Sequence, residues 1–391
     1  MVGTIREDVE GFCSRPWAPG CQSDAPSAIS RLTTHHSPAV ADIVGDAGPF
    51  LCTARVPGAG STLTTISRAR YCGASDFPGV STPMHVSGVF APIPTPFTAV
   101  GALDLDAWRA NLDRWMGTGL HGLVVLGSNG EAPLVDDDES EQLVATARER
   151  IPSGRLLIAG TGRQSTKCAI DASRRAAEVG ADAVLVRTPS YFKGQLTTAS
   201  FVRHYSDVAD ACPVPVLLYN FTGLTGVTLP VEAVSTLSRH ENIVGIKESG
   251  PDLSYVGDLT GLAHDEFSVL VGSGPTFFGS LMLGADGGIM ALACVAPAAC
   301  LRIYELVRDG RLDDARALQR QVVPLAKLVT SIHGIPGLKA ALAHLGYVGG
   351  AARPPLEPIA DDAVEQISRA LDALAEVTSG VPVRASGPDQ E

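Results

Sequence analysis

Lysine is scarce in this chain: five in 391 residues, at positions 167, 193, 247, 327 and 339. Aromatic residues are thin as well, at 5%, and only 18% of residues are charged, against 45% hydrophobic. The core must therefore be filled by small aliphatic side chains, as buried parallel strands and their covering helices require. No block of lysine and arginine interrupts a formal net charge of −12, which argues against nucleic acid or an anionic membrane surface as a partner. No apolar run reaches the ~18 residues of a membrane-spanning helix. The eight cysteines, at 13, 21, 52, 72, 168, 212, 294 and 300, form no Cys-x-x-Cys pair and no zinc-spaced cluster with histidine, so no metal centre is expected. Cys212, Cys294 and Cys300 sit in apolar contexts and read as buried free thiols. A reducing cytoplasm is the compartment this usage suggests.

What is present divides near residue 86. Residues 1–85 carry scattered Gly, Pro, Ser and Thr, six arginines, no lysine and seven acids, without a sustained period. They show neither the basic start and apolar stretch of a signal peptide nor the poverty in acids of a transit peptide. The segment reads as a disordered or non-native extension, with Met84 as a candidate functional start. Intact-mass detection of residues 1–83 in the native protein would remove that start. From Gly88 onward, strand-length apolar runs alternate eight times with helical stretches. The runs are Gly88–Ile93, His121–Leu126, Leu156–Ala159, Ala183–Arg187, Val214–Tyr219, Ile243–Lys247, Ser268–Val271 and Gly288–Leu292. Amphipathic stretches such as Asp104–Met116, Asp136–Arg150, Ser165–Val179 and Ala199–Ala211 separate them, with Asp104 placed to cap its helix. Eight strand-then-helix repeats predict an α/β fold, a (β/α)8 TIM barrel over 86–310. Extra C-terminal helices should follow over 311–378, and a flexible tail over 379–391.

Four of the five lysines have ordinary settings at helix starts, on a helix or in a loop. Lys247 ends the apolar run Ile243-Val244-Gly245-Ile246. Strand alternation places Gly245 and Lys247 on the face opposite Val244 and Ile246. A lysine at a strand end commonly just reaches solvent. The C-terminal ends of barrel strands, however, are where such enzymes keep their catalytic groups, and an amine desolvated there is a nucleophile toward carbonyls.

Other residues should converge on the same mouth. The loop Gly127-Ser128-Asn129-Gly130-Glu131 offers a hydroxyl, an amide and main-chain N–H groups suited to a carboxylate, with its two glycines expected to supply the tight turn. As an isolated motif it is an ordinary turn. Tyr219, closing the strand Leu217-Leu218-Tyr219-Asn220, is either core filler with a satisfied hydroxyl or a proton relay. Tyr191, in Thr188-Pro189-Ser190-Tyr191, is a second relay candidate or a rim or subunit-contact aromatic. Met290, in the eighth apolar run, is a further candidate for lining the substrate site.

Thr95-Pro96, Gly127-Ser128-Asn129-Gly130-Glu131, Tyr219-Asn220 and Gly245-Ile246-Lys247-Glu248, in this order over about residues 86–356, resemble the dihydrodipicolinate synthase / N-acetylneuraminate lyase family of class I aldolases. The resemblance implies a Schiff base between Lys247 and pyruvate, proton shuttling by Tyr219, and a carboxylate held at Ser128 and Asn129. It implies no cofactor beyond that covalent lysine adduct, and a homotetramer or homodimer. The Ser-Asn form of the glycine loop, Ser249, Gly334-Ile335-Pro336-Gly337-Leu338-Lys339 and Gly346-Tyr347-Val348-Gly349-Gly350 are most similar to 4-hydroxy-2-oxoglutarate aldolase and 2-keto-3-deoxy sugar acid aldolases. Ser249 is then expected near the distal part of the substrate. Dihydrodipicolinate synthases have an arginine five residues after the relay tyrosine, where this chain has Leu224. Thr222 also replaces the usual proline.

The function expected is cleavage or formation of a 4-hydroxy-2-oxo acid, giving pyruvate or a glyoxylate-type product and an aldehyde. A small 2-oxo acid is the expected partner. A hydratase-aldolase or sugar-acid dehydratase using the same iminium, a dihydrodipicolinate synthase, and an inactive binding or regulatory barrel are the alternatives.

Overall fold

The computed structural model describes residues 84–378; the extension through residue 83 and the tail from residue 379 lie outside the described residues. Eight runs rich in aliphatic residues form β1 (Gly88–Pro92), β2 (Gly122–Val125), β3 (Leu156–Gly160), β4 (Ala183–Arg187), β5 (Val216–Asn220), β6 (Ile243–Glu248), β7 (Ser268–Val271) and β8 (Gly287–Ile289). They pair in parallel and in chain order, and β8 closes on β1. The predicted (β/α)8 barrel is the fold observed. Its eighth strand stops sooner than the apolar run implied, because Leu292–Val295 turns into a short helix.

Side-chain alternation sorts each strand into two environments. Phe90, Val124, Ile158, Leu185, Leu217 and Leu270 fill the barrel interior, while Val89, Leu123, Leu157, Val184, Val186 and Leu218 face the helices. Each buried aliphatic contributes roughly 1.5–3 kcal/mol relative to exposure. The covering helices start where their caps predict. The Asp104 carboxylate accepts from the Ala107 N–H at 2.9 Å. Asp136 and Glu139 form a reciprocal capping box at the head of Asp137–Arg150. Beyond the barrel, Leu312–Lys327, Gly334–His344 and Asp361–Thr378 supply the C-terminal helices. No described helix is long and apolar enough to cross a membrane.

One strand departs from simple alternation. Between β5 and β6, Val216 pairs with Ile243 but Leu217 pairs with Gly245, so Val244 is an extra residue in the ladder. This β-bulge turns Val244 into the barrel interior with Leu217, while Ile246 faces the helices. The expectation that Val244 and Ile246 share a face is corrected.

Burial of His204, on the helix Thr198–Ala211, gives a pH prediction. Its Nδ1 lies 2.9 Å from Thr166 Oγ1, its Nε2 has no partner among the described residues, and burial pushes its pKa down to about 4, opposed only by Asp207. The unfolded chain therefore takes up a proton near 6.5 that the folded chain refuses until about 4. The contribution of the neutral ring is complete above pH 6.5 and is lost as pH falls toward 4, amounting to roughly 3 kcal/mol. Urea unfolding at pH 7 and pH 4.5 should show a smaller pH-induced loss in His204→Gln than in the wild type. An equal loss in both proteins would refute the assignment.

Candidate active site

The C-terminal ends of β2 to β5 surround a cavity of about 300 Å³, at the low end of the size usual for small-ligand sites. Its wall includes Ser128 from the loop after β2, Gly160 and Gly162 at the end of β3, Arg187 from β4, Tyr219 from β5, and Phe221 and Leu224 beyond it.

Tyr219 and Lys247 are paired in register on β5 and β6. Both are nearly inaccessible, at 4% and 3% exposure. Lys247 Nζ lies 4.3 Å from the centre of the Tyr219 ring, close enough for a cation–π contact whenever the amine is charged. The Tyr219 hydroxyl lies 3.0 Å from Ser128 Oγ. Tyr219 thus belongs both to the cavity wall and to the surroundings of Lys247, and the three side chains form a continuous path from amine to ring to hydroxyl pair.

The frame beneath them is a buried polar pair one position farther along each strand. Asn220 Nδ2 donates to Glu248 Oε2 at 2.5 Å, and Asn220 Oδ1 accepts from the Leu229 N–H at 2.9 Å. The Gly250 N–H donates to the other Glu248 oxygen. Burial raises the Glu248 carboxyl above its ordinary range, while the bonds from Asn220 and Gly250 oppose the shift. Because alternate residues point to opposite faces, fixing Asn220 and Glu248 fixes the direction in which Tyr219 and Lys247 project.

The glycine loop turns differently from the sequence expectation. The left-handed positions are Leu126 and Glu131, each at φ 57°, and not the two glycines between them. Gly130 is needed instead for close approach, since a Cβ there would lie 3.0 Å from the Leu126 nitrogen. Thr95 Oγ1 donates to the Gly130 carbonyl at 2.8 Å and pins the loop. Glu131 makes a buried ion pair with Lys339 at 2.6 Å and accepts from the Arg353 N–H at 2.7 Å. Lys339 also donates to the Ala351 carbonyl at 2.6 Å. The C-terminal segment thereby anchors the end of the site loop. Sequence reasoning gave Lys339 an ordinary helical setting and did not foresee this second buried lysine.

The remaining candidates, like Lys247 itself, are not among the residues that line the cavity. Asn129 Nδ2 donates to the Pro92 carbonyl at 3.1 Å, so its side chain ties the loop to β1 and does not line the cavity. Ser249 does not line it either: its N–H donates to the Asn220 carbonyl at 3.0 Å, and its hydroxyl occupies the space a side chain at Gly272 would need. Met290 is fully buried within the outer core, and its N–H donates to the Phe90 carbonyl. Tyr191 is 79% exposed and packs edge-on against Phe192. Arg187, by contrast, stands in the cavity wall although the sequence gave it only as the end of a strand. Two-residue alternation from Ala183 and Leu185 was the signal that could have found it. Among the described residues, no group of three His, Cys, Asp or Glu side chains is placed to hold a metal ion. Cys212, Cys294 and Cys300 are buried and free, as expected, and burial raises all three thiols.

A family model described as the dihydrodipicolinate synthetase family matches residues 85–374. The chain is 35% identical over 292 residues to a 4-hydroxy-tetrahydrodipicolinate synthase of Exiguobacterium sp. (strain ATCC BAA-1283 / AT1b), covering 74% of this chain and 99% of the relative. It is 38% identical over 304 residues to the protein of the same name from Xanthomonas axonopodis pv. citri, covering 75% and 98%. Among solved structures it is similar to YagE, a prophage protein of the dihydrodipicolinic acid synthase family from E. coli K12 in complex with pyruvate. That match has a TM-score of 0.69 and 29% identity, covering 74% of this chain and 98% of the other.

Proposed function

The chain belongs to the dihydrodipicolinate synthetase family of pyruvate-dependent lyases, and from that premise we propose that it is a class I aldolase acting on a short 4-hydroxy-2-oxo acid. The observation that carries this reading is the buried Lys247 amine over the Tyr219 ring, with the Tyr219 hydroxyl meeting Ser128 at the cavity.

The neutral Lys247 amine adds to the C2 ketone, and loss of water leaves an iminium. The C4 hydroxyl gives its proton toward Tyr219, which exchanges it through the Ser128 hydroxyl. The C3–C4 bond breaks, its electron pair moves into the iminium, and an aldehyde departs from the resulting enamine. Protonation at C3 and hydrolysis return pyruvate and the free lysine. Ser128 and the main-chain N–H groups of the glycine loop are assigned to the C1 carboxylate. The Asn129 side chain, bound to β1, holds that loop in shape.

Tyr219→Phe keeps the ring over Lys247 and removes only the relay hydroxyl. It should lower kcat by about a hundredfold, within the range of general acid–base contributions, while leaving the Lys247 adduct with pyruvate trappable by borohydride. A variant with unchanged kcat would remove Tyr219 from the proton path.

The named relatives favour a second reading, condensation as in a 4-hydroxy-tetrahydrodipicolinate synthase. Leu224 speaks against it: it lines the cavity, 65% exposed, at the position where the resemblance expects a carboxylate-binding arginine. A hydratase-aldolase or sugar-acid dehydratase would use the same lysine. Product analysis after incubation with several 2-oxo acids separates these readings, because dehydration keeps every carbon in one product and aldol cleavage gives two. An inactive barrel would give no product and no trapped adduct. As part of the same reading we assign a homodimer or homotetramer, for which the exposed Tyr191–Phe192 pair offers an aromatic contact.

A further inference from the structure

We propose that Arg187 is the specificity residue of this site, binding a carboxylate on the aldehyde half of the substrate and taking the part that Leu224 cannot play. Ala183 and Leu185 on β4 point into the barrel, so alternation aims Arg187 inward at the mouth. Arg187 pairs with Tyr219, and Tyr219 with Lys247, across three adjacent strands. The guanidinium therefore belongs to the same layer as the relay and the Schiff-base lysine. It lines the cavity with Ser128, Tyr219 and Leu224.

Two features mark it as built to receive an anion. Arg187 has no hydrogen-bond acceptor and no carboxylate partner among the described residues, whereas the neighbouring Arg163 is paired with Asp137 at 2.9 Å. Burial beside Arg163 shifts Arg187 below its ordinary range, but a guanidinium stays charged in proteins. A half-buried cation without a counter-charge is costly to keep, and a carboxylate compensates it through two parallel N–H···O bonds. The chain also makes room for it at Gly162, where a Cβ would stand 2.7 Å from Arg187 Cγ. Much of the rest of the wall is apolar, with Leu126, Leu134, Phe221 and Leu224, and the carboxylate that also lines it, Glu131, is already engaged by Lys339 and the Arg353 N–H.

The inference rests on the Schiff-base reading, because the distal carboxylate is defined relative to a C2 carbon held on Lys247. It predicts a 2-oxo diacid of short chain. The test uses 2-oxoglutarate and 2-oxopentanoate, which share five carbons, differ in the distal carboxylate and lack the 4-hydroxyl needed for cleavage. Borohydride trapping on Lys247 is measured against the concentration of each acid, with pyruvate as the control. The wild type should half-saturate at a concentration at least about tenfold lower for the diacid, as a charge-assisted bidentate contact implies. Arg187→Met should abolish that preference while trapping pyruvate normally, and Arg187→Lys should restore part of it. Equal half-saturation in the wild type, or a preference that survives Arg187→Met, overturns the proposal. Absence of any pyruvate adduct on Lys247 in the wild type overturns the Schiff-base reading and this proposal with it.

Discussion

Lys247→Ala should reduce turnover by more than about a thousandfold and eliminate the borohydride-reduced pyruvate adduct, because a covalent mechanism loses its nucleophile and not merely a contact. Among the other lysines, Lys193 and Lys327 are exposed, without the burial of Lys247. Lys339 is buried against Glu131 at 2.6 Å, and Lys167 is paired with Asp171 at the surface. Lys247→Arg makes the sharper comparison. It preserves a long cationic side chain over Tyr219, yet a guanidinium does not form the iminium, so it should be as inactive as the alanine variant. Neither change breaks an ion pair among the described residues, so circular dichroism and thermal unfolding should show a folded barrel in both. Peptide mass spectrometry after reduction provides the readout independent of any guess about the aldehyde. A few per cent of residual activity in either variant, or an adduct on another lysine, would refute the mechanism.

The second large effect concerns stability. Glu131 and Lys339 are 0% and 3% exposed at their side chains, and Lys339 also lies over the Phe97 ring, 4.7 Å from its centre. Burial drives the Lys339 ammonium below its usual range, and the Glu131 carboxylate opposes the shift. Removing one partner leaves the other as an uncompensated buried charge. Lys339→Met should therefore cost about 3–5 kcal/mol in urea unfolding, as should Glu131→Gln. The double replacement should cost clearly less than the sum, since no buried charge is left unpaired. Simple additivity would show that the pair does not interact as drawn. Activity should fall too, because Glu131 ends the loop that carries Ser128 and its other oxygen holds the Arg353 N–H.

The architecture was legible in the sequence because period-2 and period-3.6 patterns are local properties, and eight repetitions leave few folds open. The cap at Asp104 was readable for the same reason: its partner, the Ala107 N–H, lies three residues away. Lys247 and Tyr219 could be singled out because each closes an apolar run on a barrel strand, where chemistry of this kind is placed.

The rest required contacts between distant residues. Counted outward from Ile243 without interruption, alternation puts Lys247 on the helix side. The extra residue Val244 reverses the phase and aims the amine inward, and a bulge depends on how two strands register, not on one strand's composition. Ser249 and Met290 looked like substrate residues by position, and only the fold shows the Ser249 hydroxyl against Gly272 and Met290 within the outer core. Lys339 looked ordinary because its partner lies more than two hundred residues earlier. Alternation from Ala183 and Leu185 could have aimed Arg187 inward, but the space for it beside Gly162 and its pairing with Tyr219 are tertiary facts. The sequence by itself determined the barrel and singled out Lys247 as its candidate nucleophile, since both are written in short-range periodicity and strand position. The tertiary structure alone decided which way that lysine points, what pins the glycine loop, and which cation lines the cavity beside Tyr219, because each depends on long-range register and burial.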